Sequence, residues 1–147
     1  MSTDDFLRLD LQLCFPLYAA SRAMVQAYTP LLAKLGLTYP QYLVMLVLWE
    51  TDGVSVKELG EKLYLDSGTL TPLLKRLETQ GFVRRERSKE DARSVTVSLT
   101  AQGRGLRRKA ASIPEAIVCR TGLTLEELAR LRRDIQRLFE KVSSRSA

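Results

Sequence analysis

Two cysteines, Cys14 and Cys119, stand in a chain of 147 residues that has no histidine. Without an imidazole or a CxxC pair they lack the company a zinc site needs, so neither a metal nor any other cofactor is expected. That leaves packing or redox chemistry. Cys14 lies between Leu13 and Phe15, and Pro16 follows. Proline suits the first turn of a helix because its missing N–H would have had no partner there. A helix from Pro16 to about Lys34 is expected, with Cys14 at or just before its N-terminus. Two readings stand side by side. Free cysteine is a small hydrophobe that is often buried. At a helix N-terminus it can also be a nucleophile, because the dipole favours the thiolate while apolar neighbours oppose it. Hydroxyl donors would favour the thiolate further. Tyr18 lies one turn on, Tyr28 further along the helix, and Tyr39 after Gly36.

A second group of residues suits phosphate and base recognition. Ser67, Thr69 and Thr71 present hydroxyls, and Lys75 and Arg76 follow on later turns. The charge distribution agrees with this. Residues 1–74 carry 5 Lys and Arg against 8 Asp and Glu, a net −3. Residues 75–109 carry 11 against 4, a net +7, and residues 110–147 carry 7 against 5, a net +2. A localised basic excess is the electrostatic footprint of a nucleic-acid interface. A membrane surface would accept it too, but no apolar run approaches the roughly 20 residues of a membrane span. No signal peptide or lipidation motif is recognised, so no membrane association and a cytoplasmic location are expected.

The elements that must position these groups are legible in part. Ser55 with Glu58 reads as a capping box opening a short helix with Val56, Leu59 and Leu63 on its apolar face. Asp66 or Ser67 can cap a second helix carrying Leu70, Leu73, Leu74 and Leu77, which Gly81 ends. Pro72 inside that helix predicts either a start nearer Thr69 or a distorted first turn. Phe82 to Arg87 and Val95 to Leu99 alternate apolar and polar, as two half-buried antiparallel strands would. Upstream, Pro40 to about Thr51 reads as a buried helix, and Met1 to Asp5 as a frayed end. Downstream, Thr100 caps a helix that Pro114 should interrupt. Thr124 with Glu127 opens a final one, with Leu128, Leu131, Ile135, Leu138 and Val142 as a two-heptad seam. The expected fold is mainly α, an α+β winged helix made of a helix-turn-helix and a β-hairpin wing. Its 147 residues should make one domain.

Asp91-Ala92-Arg93, followed five residues later by Leu99-Thr100, lies directly after this helix-turn-helix. Through that pattern the sequence resembles the MarR family of transcription regulators. The resemblance implies that Arg93 reaches into a minor groove while Asp91 holds its guanidinium. The plain alternative is a solvated hairpin tip with an ordinary surface ion pair. It further implies a homodimer on double-stranded operator DNA. Residues 6–36 and 101–147 would supply the dimerisation helices, and residues 37–100 the DNA-binding region. A helix-turn-helix dimer reads pseudo-palindromic half-sites about 34–36 Å apart.

Leu13-Cys14-Phe15, Tyr18, Tyr28, Pro30-Leu31-Leu32, Thr38-Tyr39-Pro40-Gln41-Tyr42-Leu43 and Leu65-Asp66-Ser67-Gly68-Thr69-Leu70-Thr71-Pro72 look like OhrR, the organic-hydroperoxide-sensing branch of that family. The branch implies that Cys14 is the peroxide sensor, with Tyr28 and Tyr39 of the partner subunit hydrogen-bonding to its sulfur. Phe15 and Tyr18 would line the peroxide pocket, and the apolar run from Leu11 to Leu17 would select organic peroxides. Cys119 lies where a resolving cysteine is found in two-cysteine members. Its alternative is a buried thiol beside Val118. The expected function is a non-enzymatic repressor that releases DNA when Cys14, oxidised by organic hydroperoxide, forms a disulfide with Cys119 of the partner subunit. Two rivals remain: a MarR-type regulator controlled by a bound phenolic ligand, and a thiol peroxidase.

Overall fold

The computed structural model describes residues 2–144, and the chain divides into two compact units, 1–111 and 112–147. The division falls inside the 101–147 stretch. The first unit begins with two 3₁₀ turns, Thr3–Leu7 and Leu9–Leu11. The segment expected to fray is built as a 3₁₀ turn from Thr3, with none of its residues buried; Met1 lies outside the described residues. The Ser2 N–H donates to Asp5 Oδ2 (2.8 Å), and the Gln12 amide donates to the carbonyls of Phe6 and Arg8.

Helix α1 (Cys14–Ala33) starts two residues before Pro16 and α2 spans Tyr39–Glu50. Thr38 and Gln41 form a full capping box at the start of α2, and Pro40 occupies its first turn. A two-residue strand β1 (Val54–Ser55) leads into α3 (Val56–Leu63), and α4 (Ser67–Thr79) follows after a short turn. The Ser55 box is only half built. Ser55 Oγ accepts from the Glu58 N–H (3.0 Å), but the Ser55 backbone lies in β1 opposite Thr96, and the Glu58 carboxylate receives the Ser55 hydroxyl instead. Tyr64, in the turn after α3, takes the left-handed conformation at φ 58°.

Strands β2 (Val83–Arg87) and β3 (Val95–Leu99) form the expected hairpin in register Val83↔Leu99 to Arg87↔Val95, and β1 pairs with the other side of β3. Asp52 Oδ1 fastens that edge by accepting from the N–H groups of Gly53 and Leu99. Leu70, Leu74 and Leu77 of α4 are buried with Leu59, Met45, Leu48, Val83 and Val97. Each such side chain contributes roughly 1.5–3 kcal/mol, enough to fix the exposed face of α4 relative to the hairpin.

Helix α5 (Ala101–Ala110), capped by Thr100, crosses close to the hairpin at Gly103. A Cβ at Gly103 would run into the Phe82 carbonyl oxygen, and the Gly103 carbonyl accepts from Trp49 Nε1 (3.0 Å). Gly105, two residues on, has open space around its Cβ position. Gly103→Ala is therefore expected to destabilise the protein by about 1–3 kcal/mol through overpacking. Gly105→Ala should stabilise it by roughly 0.5–1 kcal/mol through helix propensity. Thermal unfolding of the two variants should move in opposite directions.

The second unit holds α6 (Ile113–Thr121), with Pro114 in its first turn, and α7 (Leu125–Ser143) behind a complete Thr124–Glu127 capping box. The anticipated seam lies on α7 and much of it is open: Leu131, Ile135 and Val142 are exposed, as is Phe139 beside them, while Leu128 and Leu138 are half-buried.

Candidate functional site: a thiol at a helix start and a nucleic-acid interface

Cys14 is the first residue of α1 and is exposed, not buried among its apolar neighbours. No side chain caps this helix start, so its first N–H groups stay open beside the sulfur. The surroundings are open too. Leu11, Leu13, Phe15 and Tyr18 are between 47% and 64% exposed, so this chain alone does not close the pocket expected from Phe15 and Tyr18. Tyr18 instead carries the Arg22 guanidinium over its ring, 4.8 Å from the centroid.

Tyr28 lies 14 residues beyond Cys14 on the same helix, which at 1.5 Å per residue is about 21 Å along its axis. Its ring lies 4.9 Å from that of Tyr39, the first residue of α2, and 5.7 Å from that of Tyr42. The fold thus brings Tyr28 and Tyr39 together and holds both far from the sulfur of their own chain. Burial pushes the phenols of Tyr28, Tyr39 and Tyr42 above the ordinary 10.0, helped at Tyr28 and Tyr42 by the neighbouring phenols. They therefore keep their protons throughout the neutral range and act as hydrogen-bond donors. Cys119, in the last turn of α6, is exposed, so the buried alternative does not hold for it either.

The second site is built on α4 and the hairpin. Helix α4 starts at Ser67, with Asp66 Oδ1 accepting from the Thr69 N–H (2.9 Å). It does not start nearer Thr69, and Pro72, its sixth residue, leaves the Gly68 carbonyl without its helical donor. Ser67 and Thr69 are exposed, as are Lys75 and Arg76. The Thr71 hydroxyl donates to the Ser67 carbonyl (2.7 Å), so only its acceptor side remains available. The bonds to Thr69 hold the Asp66 carboxyl below the ordinary range, so it is ionised whenever the helix is formed near neutral pH.

At the wing tip, the Ser88 N–H donates to the Ser94 carbonyl and the Ser94 N–H to that of Asp91. Asp91 Oδ1 accepts from the Arg93 backbone N–H (3.0 Å), whereas the resemblance had it holding the guanidinium. The carboxylate closes the turn locally, within two residues, which leaves the Arg93 side chain exposed and outside the ion pairs found among the described residues. Ser67, Thr71 and Arg93 line one open cleft of about 660 Å³, together with Lys57, Glu61 and Arg85. Thr69, Lys75, Arg76 and Asp91 lie outside its lining.

Three features here escape sequence reasoning. Arg85 joins the wing to the helix, donating from its backbone N–H and from Nη2 to the Glu78 carboxylate (3.0 and 3.1 Å). Gln41 and Gln80 bond to each other across 39 residues of sequence. The Thr38–Gln41 box had a signal, since T-x-x-Q ahead of an apolar run is a helix-start signature. Arg85 holds the Glu78 carboxyl below the ordinary 4.5. A depressed carboxyl contributes stability that is complete above its unfolded value and lost as pH falls through its folded value. On acidification below about pH 4.5 the parent should therefore lose more stability than Glu78→Gln, as acid titration of the melting temperature would measure. At 25% and 39% side-chain exposure the pair is reached by water, and added salt should shrink the difference.

Residues 26–109 match the family model described as transcriptional regulator SarA/Rot. The chain is 50% identical over 142 residues to the organic hydroperoxide resistance transcriptional regulator of Bacillus subtilis, covering 97% of each. It is 52% identical over 143 residues to the HTH-type transcriptional regulator TtmR of Methylorubrum extorquens, covering 97% of this chain and 73% of that one. Among solved structures it is similar to AbfR of Staphylococcus epidermidis. Against reduced AbfR bound to DNA the TM-score is 0.79 at 36% identity, over 96% of this chain and 99% of the other. Against overoxidized AbfR bound to DNA it is 0.77 at 36% identity, with the same coverage. Against disulfide-formed AbfR it is 0.62 at 37% identity, over 96% and 94%. Winged helix, wing motif and relatives converge: the chain belongs to the MarR family of transcriptional regulators, in its organic-hydroperoxide-regulator branch OhrR.

Proposed function

We propose that this protein is a cytoplasmic, homodimeric repressor whose reduced form binds a pseudo-palindromic operator and whose oxidation by an organic hydroperoxide releases it. No helix among the described residues is long and apolar enough to cross a membrane. The observation that carries the reading is the separation of Cys14 from its tyrosines. An exposed thiol at the start of α1 and two phenol donors about 21 Å up the chain form one site only if a second chain supplies the donors. The exposed apolar residues of the 3₁₀ turns and of α7 give that second chain a surface to bury.

The chemistry balances without a cofactor. The Cys14 thiolate attacks the terminal peroxide oxygen, which keeps its hydrogen; the O–O bond breaks, and the leaving alkoxide takes up the proton the thiol had released, giving an alcohol and a sulfenic acid. The thiol of Cys119 of the partner subunit then attacks that sulfur, and water leaves as the disulfide forms. Ser67, Thr69 and Thr71, with Lys75, Arg76 and Arg93, contact the operator. Asp91 shapes the wing tip. This is regulation, not turnover, so the thiol peroxidase reading is set aside. The test is operator binding by the reduced protein before and after one equivalent of organic hydroperoxide. Release that a phenolic ligand causes and peroxide does not would favour the ligand-controlled alternative.

The AbfR forms bear on Cys119. The overoxidized form of that relative is DNA-bound, while its disulfide form differs more from this chain than its DNA-bound forms do. By analogy the disulfide, and not the oxidised sulfur alone, is the releasing species here. Cys119→Ser is therefore expected to lose the disulfide-linked dimer band on a non-reducing denaturing gel. It should also keep most of its operator binding after peroxide, with Cys14 passing to sulfinic acid under excess oxidant. Parent-like release by the variant, or a Cys14–Cys14 link found by peptide mapping, would leave Cys119 without a resolving role.

A further inference from the structure

We infer that the side-chain amides of Gln41 and Gln80 are the polar coupling through which the state of the tyrosine pair reaches α4, the second helix of the helix-turn-helix; this rests on the redox reading above. Gln41 is buried, at 3% exposure, and its amide is used at both ends. Oε1 accepts from the Thr38 N–H (2.9 Å), and Nε2 donates to Gln80 Oε1 (3.1 Å). Gln80 Nε2 in turn donates to the Gly36 carbonyl. Both ends of this chain are backbone groups of fixed polarity, one a donor and one an acceptor, so the orientation of both amides is forced.

The chain joins two functional elements. At one end, Thr38 and Gln41 cap α2, whose first residue is Tyr39, and the Tyr39 ring lies against Tyr28. At the other, Gln80 is the residue that closes α4, with its N–H on the Arg76 carbonyl (2.9 Å). Because Gln41 is buried, a broken link leaves a polar group without a partner and without water to replace it. A shift of α2 that takes Gln41 and Gln80 beyond about 3.5 Å ends the bond. The start of α2 and the end of α4 therefore move together or lose the link. The AbfR forms show that a chain of this shape takes more than one arrangement, since its similarity to this one falls from 0.79 in the reduced DNA-bound form to 0.62 in the disulfide form.

A plain cap on α2 is the competing role, and substitutions separate the two. Gln41→Glu keeps an oxygen for the Thr38 N–H, as capping boxes accept Glu or Gln alike, but faces the Gln80 oxygen with another oxygen. Gln80→Met removes the partner from an exposed position and carries the test if Gln41→Glu folds poorly. Gln41→Glu combined with Gln80→Lys restores the chain, because an ammonium can donate to both the introduced carboxylate and the Gly36 carbonyl.

The experiment uses full-length protein and a duplex selected for binding by the reduced parent. Fluorescence anisotropy gives Kd before and after one equivalent of cumene hydroperoxide, and mass spectrometry follows Cys14 oxidation in each protein. Both single variants should oxidise at the parent's rate and bind as the parent does when reduced. Their oxidised-to-reduced Kd ratio should fall about 5-fold or more, the lower end of allosteric coupling, and the double variant should recover it. A parent-like ratio in the single variants overturns the inference, as does slowed Cys14 oxidation or a double variant that regains stability without regaining the ratio. A parent that oxidises at Cys14 and stays bound would instead defeat the redox reading itself.

Discussion

Cys14→Ser protein treated with organic hydroperoxide should stay on its operator, while the parent should leave it. Serine differs from cysteine by one atom, and Cys14 is exposed at a helix start, so the substitution disturbs no packing. The reduced-state affinity should match the parent's. The response should vanish, because a serine hydroxyl is a poor nucleophile at neutral pH and has no oxidation ladder to climb. The disulfide-linked dimer band should vanish with it. Anisotropy titrations against a labelled duplex, with and without one equivalent of peroxide, measure both effects. Peroxide-induced release that survives the substitution would move the sensor elsewhere, and Cys119 would be the residue to examine.

Arg93→Ala should weaken operator binding by about 1–3 kcal/mol for each wing and reduce the steepness of its salt dependence by about one per lost contact. The guanidinium is exposed, lines the cleft between α4 and the hairpin, and belongs to no ion pair among the described residues. On a bound duplex it would carry its whole charge to the DNA and displace counterions there. Asp91→Ala tests the geometry, since Asp91 grips the Arg93 backbone and not its charge. Its loss should loosen the tip and weaken binding less than Arg93→Ala, with the salt slope nearly unchanged. An Arg93→Ala protein with the parent's affinity and slope would make the wing tip a solvated surface.

What the sequence made legible was local. Ser55, Asp66, Thr100 and Thr124 mark helix starts because one hydroxyl or carboxylate satisfies an N–H three residues away. The hairpin was readable because the alternation of Val83 to Arg87 and Val95 to Leu99 has the period of a strand. Three things were not. Strand β1 is two residues long, too short to carry any period. The apolar residues Leu7, Leu9 and Leu11 follow no helical period, and they fold in 3₁₀ turns that bury nothing in a single chain. Contacts between distant residues, such as Gln41 with Gln80 and Glu78 with Arg85, have no sequence signature because backbone geometry elsewhere decides them. At the sites, residue types pointed to a thiol and a basic surface, but the roughly 21 Å between thiol and phenols needed the helix to be laid out.

The open seam of α7 has one more consequence. A helix of 19 residues that presents Leu131, Ile135, Phe139 and Val142 to water gains little by folding on its own. If a second chain covers it, part of the folding free energy becomes a property of the pair, and the law of mass action enters. Scarcity would then weaken the fold and empty the operator together, with no oxidant present. The abundance of the protein would be a second signal, read by the same surface that would bring the thiol to its phenols.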